Sequence, residues 1–177
     1  MRTIDRETSA LLVVDFQARL MPAIDAGAEA VGNARRLLAA AGILAVPVLF
    51  TEQNAGGLGG TVSELEVSAH GDVLHKMTFD ACRAEDIVKL PDRPAIVVAG
   101  CEAHVCVLQT VLGLLDAGRR VYVVQDAIGS RQPGSKAAAI RRMAQHGAEI
   151  VTTEMAVFEW LATAEHPRFR DVVALIK

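Results

Sequence analysis

With 177 residues, 51% hydrophobic and 22% charged, the chain can bury a sizeable core and does not read as disordered. A formal charge of −3 gives no electrostatic footing for nucleic acid or an anionic membrane, and no run approaches the roughly 20 apolar residues that span a bilayer. Met1 to Glu7 is charged and lacks the apolar centre of a secretory signal, and three cysteines without framework spacing suit a reducing interior, so the expected location is the cytoplasm.

Six apolar segments read as strands. The first, 10–14, is a continuous apolar run that ends at Asp15-Phe16-Gln17. A stripe of Val31, Ala34, Leu38 and Ala41, closed by Gly42, reads as a helix. The second strand, 46–51, ends in Glu52-Gln53 and opens into a glycine-rich segment, 53–60, read as a flexible loop. The third, 73–76, ends at Lys76 and is followed by Met77-Thr78-Phe79. The fourth, 95–100, is broken by Gly100; from His104 a pattern of Val105, Leu108, Leu112 and Leu115 marks one helix face, closed by Gly118. The fifth, 121–125, ends at Asp126. A helix opened by Gly134-Ser135, with Ile140 and Met143 inward, ends at Gly147 before the sixth strand, 149–152. The tail, 153–177, reads as two helices interrupted at His166-Pro167, with the apolar run 172–176 covering the sheet or a partner.

Continuous apolar strands alternating with helices imply right-handed βαβ units and a parallel sheet covered on both faces. The expected fold is α/β, three-layered and doubly wound, with strand order 3-2-1-4-5-6. Neither a repeat nor an interdomain linker is visible, so residues 1–177 read as a single domain.

Ligands of such sheets bind beyond the carboxyl ends of the strands. A carboxylate (Asp15), an ammonium (Lys76) and a thiol (Cys106) converge on that rim. Cys106 sits in a helix's first turn, where unpaired N–H groups and the dipole favour an anion, so the thiol is expected to ionise near neutral pH. Lys76 would stabilise the thiolate, and Asp15 would shuttle the proton. The N–H groups of Glu102 and Cys106 would hold an oxyanion. Acyl transfer from a small amide or related carbonyl compound follows. One difficulty is reach: in that strand order Lys76 starts two strand spacings, about 10 Å, from the first strand.

Phe16, Gln17 and Phe79 are candidate substrate-pocket residues. Cys82 and Cys101 read as small core residues, Asp126 as a turn cap and His104 as structural. Glu52 and Gln53 can line a pocket or bind the following loop. His70 and His75 lack a convincing metal-ligand pattern, and no P-loop, Gly-x-Ser-x-Gly elbow or His-Glu-x-x-His occurs.

Leu11 to Gln17, Lys76-Met77-Thr78-Phe79, Gly100 to Val107 and Val123 to Ala127 together resemble the isochorismatase-like cysteine hydrolases. Pro47 to Gln53, with the later Gly-Leu-Gly, resembles the branch called isochorismatase domain-containing proteins. The resemblance implies an Asp15–Lys76–Cys106 triad, a six-stranded parallel sheet and a cis peptide at Cys101–Glu102. The metal-binding aspartate and histidine of nicotinamidases have no counterpart after the first strand, so neither a metal nor another cofactor is expected. Ala103 stands where many relatives have threonine, so a hydroxyl contact near the thiol is missing.

The expected activity is cysteine-dependent amide or carbamoyl hydrolysis through a thioester. The alternatives are isochorismatase-type vinyl-ether cleavage, with Asp15 as the acid and Cys106 idle, and a non-catalytic binding module. The expected partners are a small-molecule substrate and copies of the same chain, as a dimer or higher homo-oligomer, with no nucleic acid and no membrane.

Overall fold

The computed structural model describes residues 3–177, so Met1 and Arg2 of the charged amino-terminal stretch lie outside the described residues. Six strands form one parallel sheet in the order β3-β2-β1-β4-β5-β6, as expected. They are β1 (Ser9–Val14), β2 (Val48–Gln53), β3 (Asp72–Lys76), β4 (Ala95–Cys101), β5 (Arg120–Gly129) and β6 (Glu149–Val151).

Helix α1 (Gly27–Leu44) follows β1; the one-turn helices α2 (Ala55–Leu58) and α3 (Val67–His70) lie between β2 and β3. A π turn (Ala103–Val107) leads into α4 (Leu108–Asp116) after β4. Helix α5 (Pro133–Gln145) joins β5 to β6, and α6 (Thr153–Leu161) and α7 (Phe169–Val173) form the tail. Among the described residues, no helix is long and apolar enough to cross a membrane.

The side-chain period of two explains the three layers. Leu11, Val13 and Val97 pack with α1, α6 and α7 on one face, and Ala10, Leu12, Ile96 and Val98 with α4 and α5 on the other. Both faces of β1 and β4 are buried, which is why those strands are continuously apolar.

Several boundaries differ from the sequence expectation. Helix α1 does not stop at Gly42 but runs to Leu44, which is buried, and ends where Ala45 turns left-handed at φ 57°. Strand β5 does not end at Asp126. After an irregularity between Val98 and Gly100, Ile128 and Gly129 pair with Gly100 and Cys101.

The expected stripe of Val105, Leu108, Leu112 and Leu115 is out of phase: Leu108 alone of the four is buried, whereas Val107, Thr110, Val111 and Leu114 face inward. The cause is the π turn, in which Val107 N–H donates to Glu102 O and Leu108 N–H to Ala103 O, adding a residue to the turn.

Segment 53–60 is not a loose loop. Gln17 Nε2 donates to Gln53 O and Gly59 O at 3.0 and 2.6 Å, and Arg19 N–H donates to Leu58 O. The tail is interrupted around His166-Pro167 as expected, and it covers this chain's own sheet. Trp160 is fully buried and donates from Nε1 to Ser9 Oγ at 3.0 Å, while Val172 lies in the core with Val173, Leu175 and Ile176 packed against it. The 172–176 segment therefore packs on this chain's own core, with Val172 buried and Ala174 exposed.

Candidate functional site

Asp15 leaves the end of β1 with φ 50°, a left-handed conformation that aspartate tolerates better than most residues. The turn is held by Asp15 N–H donating to Thr51 O at 3.1 Å and Gln17 N–H to Asp15 O at 2.8 Å. Thr51 Oγ1 donates to Asp15 Oδ1 at 2.5 Å, and Lys76 Nζ donates to Oδ2 at 2.7 Å. Both side chains of the Asp15–Lys76 pair are fully buried.

The difficulty of reach is thereby answered: the lysine stem crosses over β2 within the protein interior. Lys76 Nζ also donates to Thr78 O and Phe79 O, each at 3.2 Å. Three acceptors match the three N–H bonds of an ammonium, so Lys76 acts on its surroundings through its charge.

Cys106 enters from the π turn after β4. Gly100 makes that approach possible: it has φ +153°, and a Cβ there would stand 2.4 Å from Val14 O. The peptide between Cys101 and Glu102 is cis, where the resemblance put it. Cys106 is buried, and the Asp15 carboxylate lies close enough to act on its thiol.

The expectation of a thiol ionised near neutral pH is overturned. Burial, then the Asp15 charge, push the Cys106 thiol up to about 12, against the opposing pull of Lys76. The ammonium is paired with Asp15, so its field does not outweigh desolvation. Cys82 and Cys101, expected in the core, are pushed up to about 12 as well, mainly by burial.

Glu102 has a divided role. Its carboxylate accepts from Arg131 N–H at 2.9 Å and Arg131 Nε at 3.0 Å, and its carbonyl accepts from the N–H groups of Val105 and Val107. Its side chain does not cap the turn that carries Cys106.

The other candidates divide by exposure. Phe16 and Gln17 are both at 0% exposure. A group that water cannot touch cannot touch a ligand unless it moves. Phe16 packs in the core, and the Gln17 amide is spent on segment 53–60, with Oε1 accepting Gln53 N–H at 2.9 Å. Neither is a pocket residue in this structure. Phe79 is 48% exposed and Met77 71%, beside the buried Lys76.

Asp126 lies away from the site and accepts from Thr153 N–H and Oγ1, tying down the start of α6, in keeping with its reading as a cap. His104 Nδ1 pairs with Ser130 Oγ at 3.0 Å. Glu52 binds the following loop, accepting from Thr61 N–H and Oγ1. Gln53 Nε2 donates to Met77 O at 3.1 Å.

The sequence reading missed Thr51 and the carbonyls of Thr78 and Phe79. Thr51 carried one usable signal, a lone hydroxyl at the carboxyl end of an apolar strand. Backbone carbonyls carry none.

The isochorismatase domain model matches residues 9–155. Isochorismatase domain-containing protein 1 of Danio rerio is 35% identical over 96% of this chain, which spans 61% of that relative's length. Among solved structures, the MAR1 ribonuclease of Caenorhabditis elegans superposes with a TM-score of 0.93 at 36% identity, covering 98% of this chain and 92% of that one. YcaC of Escherichia coli, described as an octameric hydrolase of unknown specificity, superposes with a TM-score of 0.87 at 25% identity, covering 99% and 88%. The chain belongs to the isochorismatase family.

Proposed function

We propose that this chain is a cysteine-dependent hydrolase of a small amide or carbamoyl-like compound, acting through a thioester. The observation that carries the proposal is the buried Lys76–Asp15 pair with the Cys106 thiol beside the same carboxylate. A thiol pushed up to about 12 leaves a thiolate fraction of about 10⁻⁵ at pH 7, so attack and proton loss are coupled.

As Cys106 Sγ bonds to the substrate carbonyl carbon, its proton passes to Asp15. The carbonyl oxygen becomes an oxyanion facing the N–H groups of Glu102 and Cys106. Collapse breaks the carbon–nitrogen bond, and Asp15 returns the proton to the departing nitrogen. Water then gives one proton to Asp15 and its oxygen to the thioester carbon. The acid leaves, and the thiol regains its proton. Thr51 and Lys76 keep Asp15 oriented and compensated through both transfers, and Phe79 lines the entrance. One domain carries all of these groups.

A vinyl-ether cleavage with Cys106 idle finds support in the protonated thiol. It needs a proton on Asp15 at the outset, whereas the amide reaction starts from the carboxylate that accepts bonds from Thr51 and Lys76. A binding module without turnover leaves the buried ion pair without a purpose. The ribonuclease activity named for the C. elegans neighbour finds no electrostatic footing in a net charge of −3.

A cytoplasmic setting suits three cysteines that form no disulfide. Homo-oligomerisation is supported by the octamer described for E. coli YcaC. The deciding experiment incubates the protein with a mixture of small amides and reads the intact mass. A thioester adduct mapped to Cys106, and loss of turnover in Cys106→Ala, are expected. Full turnover by Cys106→Ala on any amide that the wild type hydrolyses would overturn the proposal, and retained isochorismate hydrolysis by that variant would establish the vinyl-ether reading.

A further inference from the structure

We infer that Thr110 is a positioning residue of this site, its buried hydroxyl fastening the helix that follows Cys106 to the loop whose carbonyls hold the Lys76 ammonium. The inference rests on the reading of Cys106, Asp15 and Lys76 given above and concerns how their mutual distances are set.

Thr110 is fully buried on α4, four residues beyond Cys106, beside the apolar Val111 and Leu114. A hydroxyl in such a place costs free energy unless it is bonded, and valine would fill a similar volume without that cost. Both of its bonds go to one segment: Ala81 N–H donates to Thr110 Oγ1 at 3.0 Å, and Oγ1 donates to Phe79 O at 3.5 Å. Phe79 O is one of the two carbonyls on Lys76 Nζ. Thr110 and the ammonium thus share an acceptor.

A second contact docks the same two pieces. The Asp80 carboxylate accepts Cys82 N–H at 2.8 Å and lies over Gly113 of α4, where a Cβ would stand 2.8 Å from Oδ1. Thr110 and Gly113 are three residues apart and lie on one face of the helix. Loop 78–83 is therefore held by α4 as well as by its continuity with β3. The lysine stem is long, with four rotatable carbons, so the position of its charge is set by the acceptors around it. Those acceptors are Asp15, on β1, and two loop carbonyls registered to α4 through Thr110.

The test compares Thr110→Val, Thr110→Ser and Thr110→Ala by the rate of Cys106 alkylation with iodoacetamide between pH 7 and pH 10, read by peptide mass. The charged groups facing the thiol are Asp15 from β1, Lys76 from β3 and Glu102 from its own turn. Of these, Lys76 alone favours the thiolate, so an ammonium that drifts leaves less thiolate at every pH below the thiol's own range.

The expected result is about a tenfold slower reaction in Thr110→Val, the loss equivalent to one pH unit, with Thr110→Ser within about twofold of wild type. A Thr110→Val protein reacting at the wild-type rate, or a Thr110→Ser protein as slow as Thr110→Val, overturns the inference. Should Thr110→Val fail to fold, Thr110→Ala against Thr110→Ser carries the same comparison under the same criteria. Alkylation needs no substrate. A failure here is therefore distinguishable from a failure of the hydrolase reading, which turnover by Cys106→Ala decides.

Discussion

Replacing Asp15 by asparagine keeps the shape of the side chain and removes both its charge and its capacity to take a proton. The Lys76 ammonium, with no exposed side-chain surface, then faces no anion and keeps only neutral oxygens as acceptors, those of Thr78, Phe79 and the asparagine amide. At the 2.7 Å separation of the pair, Coulomb attraction at an effective dielectric of about 20 is about 6 kcal/mol, of which desolvation cancels a part. Breaking a buried pair from one side leaves an uncompensated charge and costs about 3–5 kcal/mol, a fall in melting temperature of about 10 °C for a chain of this size. Lys76→Met alone should cost a similar amount, because it strands the carboxylate instead.

The double variant removes both charges and should recover much of the loss. Urea unfolding of the four proteins closes the cycle, with an expected coupling of about 3 kcal/mol. Additivity within about 0.5 kcal/mol would refute the claim that these charges are compensated chiefly by each other. Every variant of the cycle should also lose amide turnover, since each lacks either the proton acceptor or the charge beside it.

Thr51→Val deletes the 2.5 Å bond to Asp15 Oδ1 at constant volume; a hydrogen bond to a charged group is worth about 1.5–3 kcal/mol, and urea melts together with about a tenfold fall in kcat/KM check it. Stability should decline as pH rises from about 9 to about 12. The unfolded chain releases its thiol protons near the ordinary value, while the folded chain holds those of Cys82, Cys101 and Cys106 up to about 12. The unfolded state then binds fewer protons, so the slope is negative, up to about 1.4 kcal/mol per pH unit for each thiol. Cys106→Ala should make that slope shallower in denaturation series at fixed pH, and an unchanged slope counts against the raised thiol. Gly100→Ala places a Cβ 2.4 Å from Val14 O at φ +153° and should destabilise by more than about 3 kcal/mol, a prediction that fails if the melting temperature moves by less than about 3 °C.

Strand number, sheet order and the rim carrying Asp15, Lys76 and Cys106 were legible in the chain. Apolar runs flanked by glycine and polar breaks are local signals, and a parallel sheet with right-handed crossovers leaves few orders to choose from. Phe16 and Gln17 show the limit of that reading. Adjacency to Asp15 marked them as candidates, but a one-residue step changes the face a side chain occupies. One entered the core, and the other became the tie for segment 53–60. The π turn was invisible for a related reason: periodicity assumes 3.6 residues per turn, and one extra residue moved the buried face from Leu112 and Leu115 to Val111 and Leu114.

The amino-acid sequence by itself determined the scaffold and the kinds of group at its rim, because patterning and chain order act over a few neighbouring residues. The protonation of Cys106, the acceptors around Lys76 and the clasp at Thr110 were decided by tertiary structure alone. Each depends on desolvation and on distances between residues far apart in the chain, with Asp15 and Lys76 meeting across 61 positions. A dipole argument made from the helix start favours a thiolate. Burial against a neighbouring carboxylate reverses it, and that balance exists only once the strands have assembled.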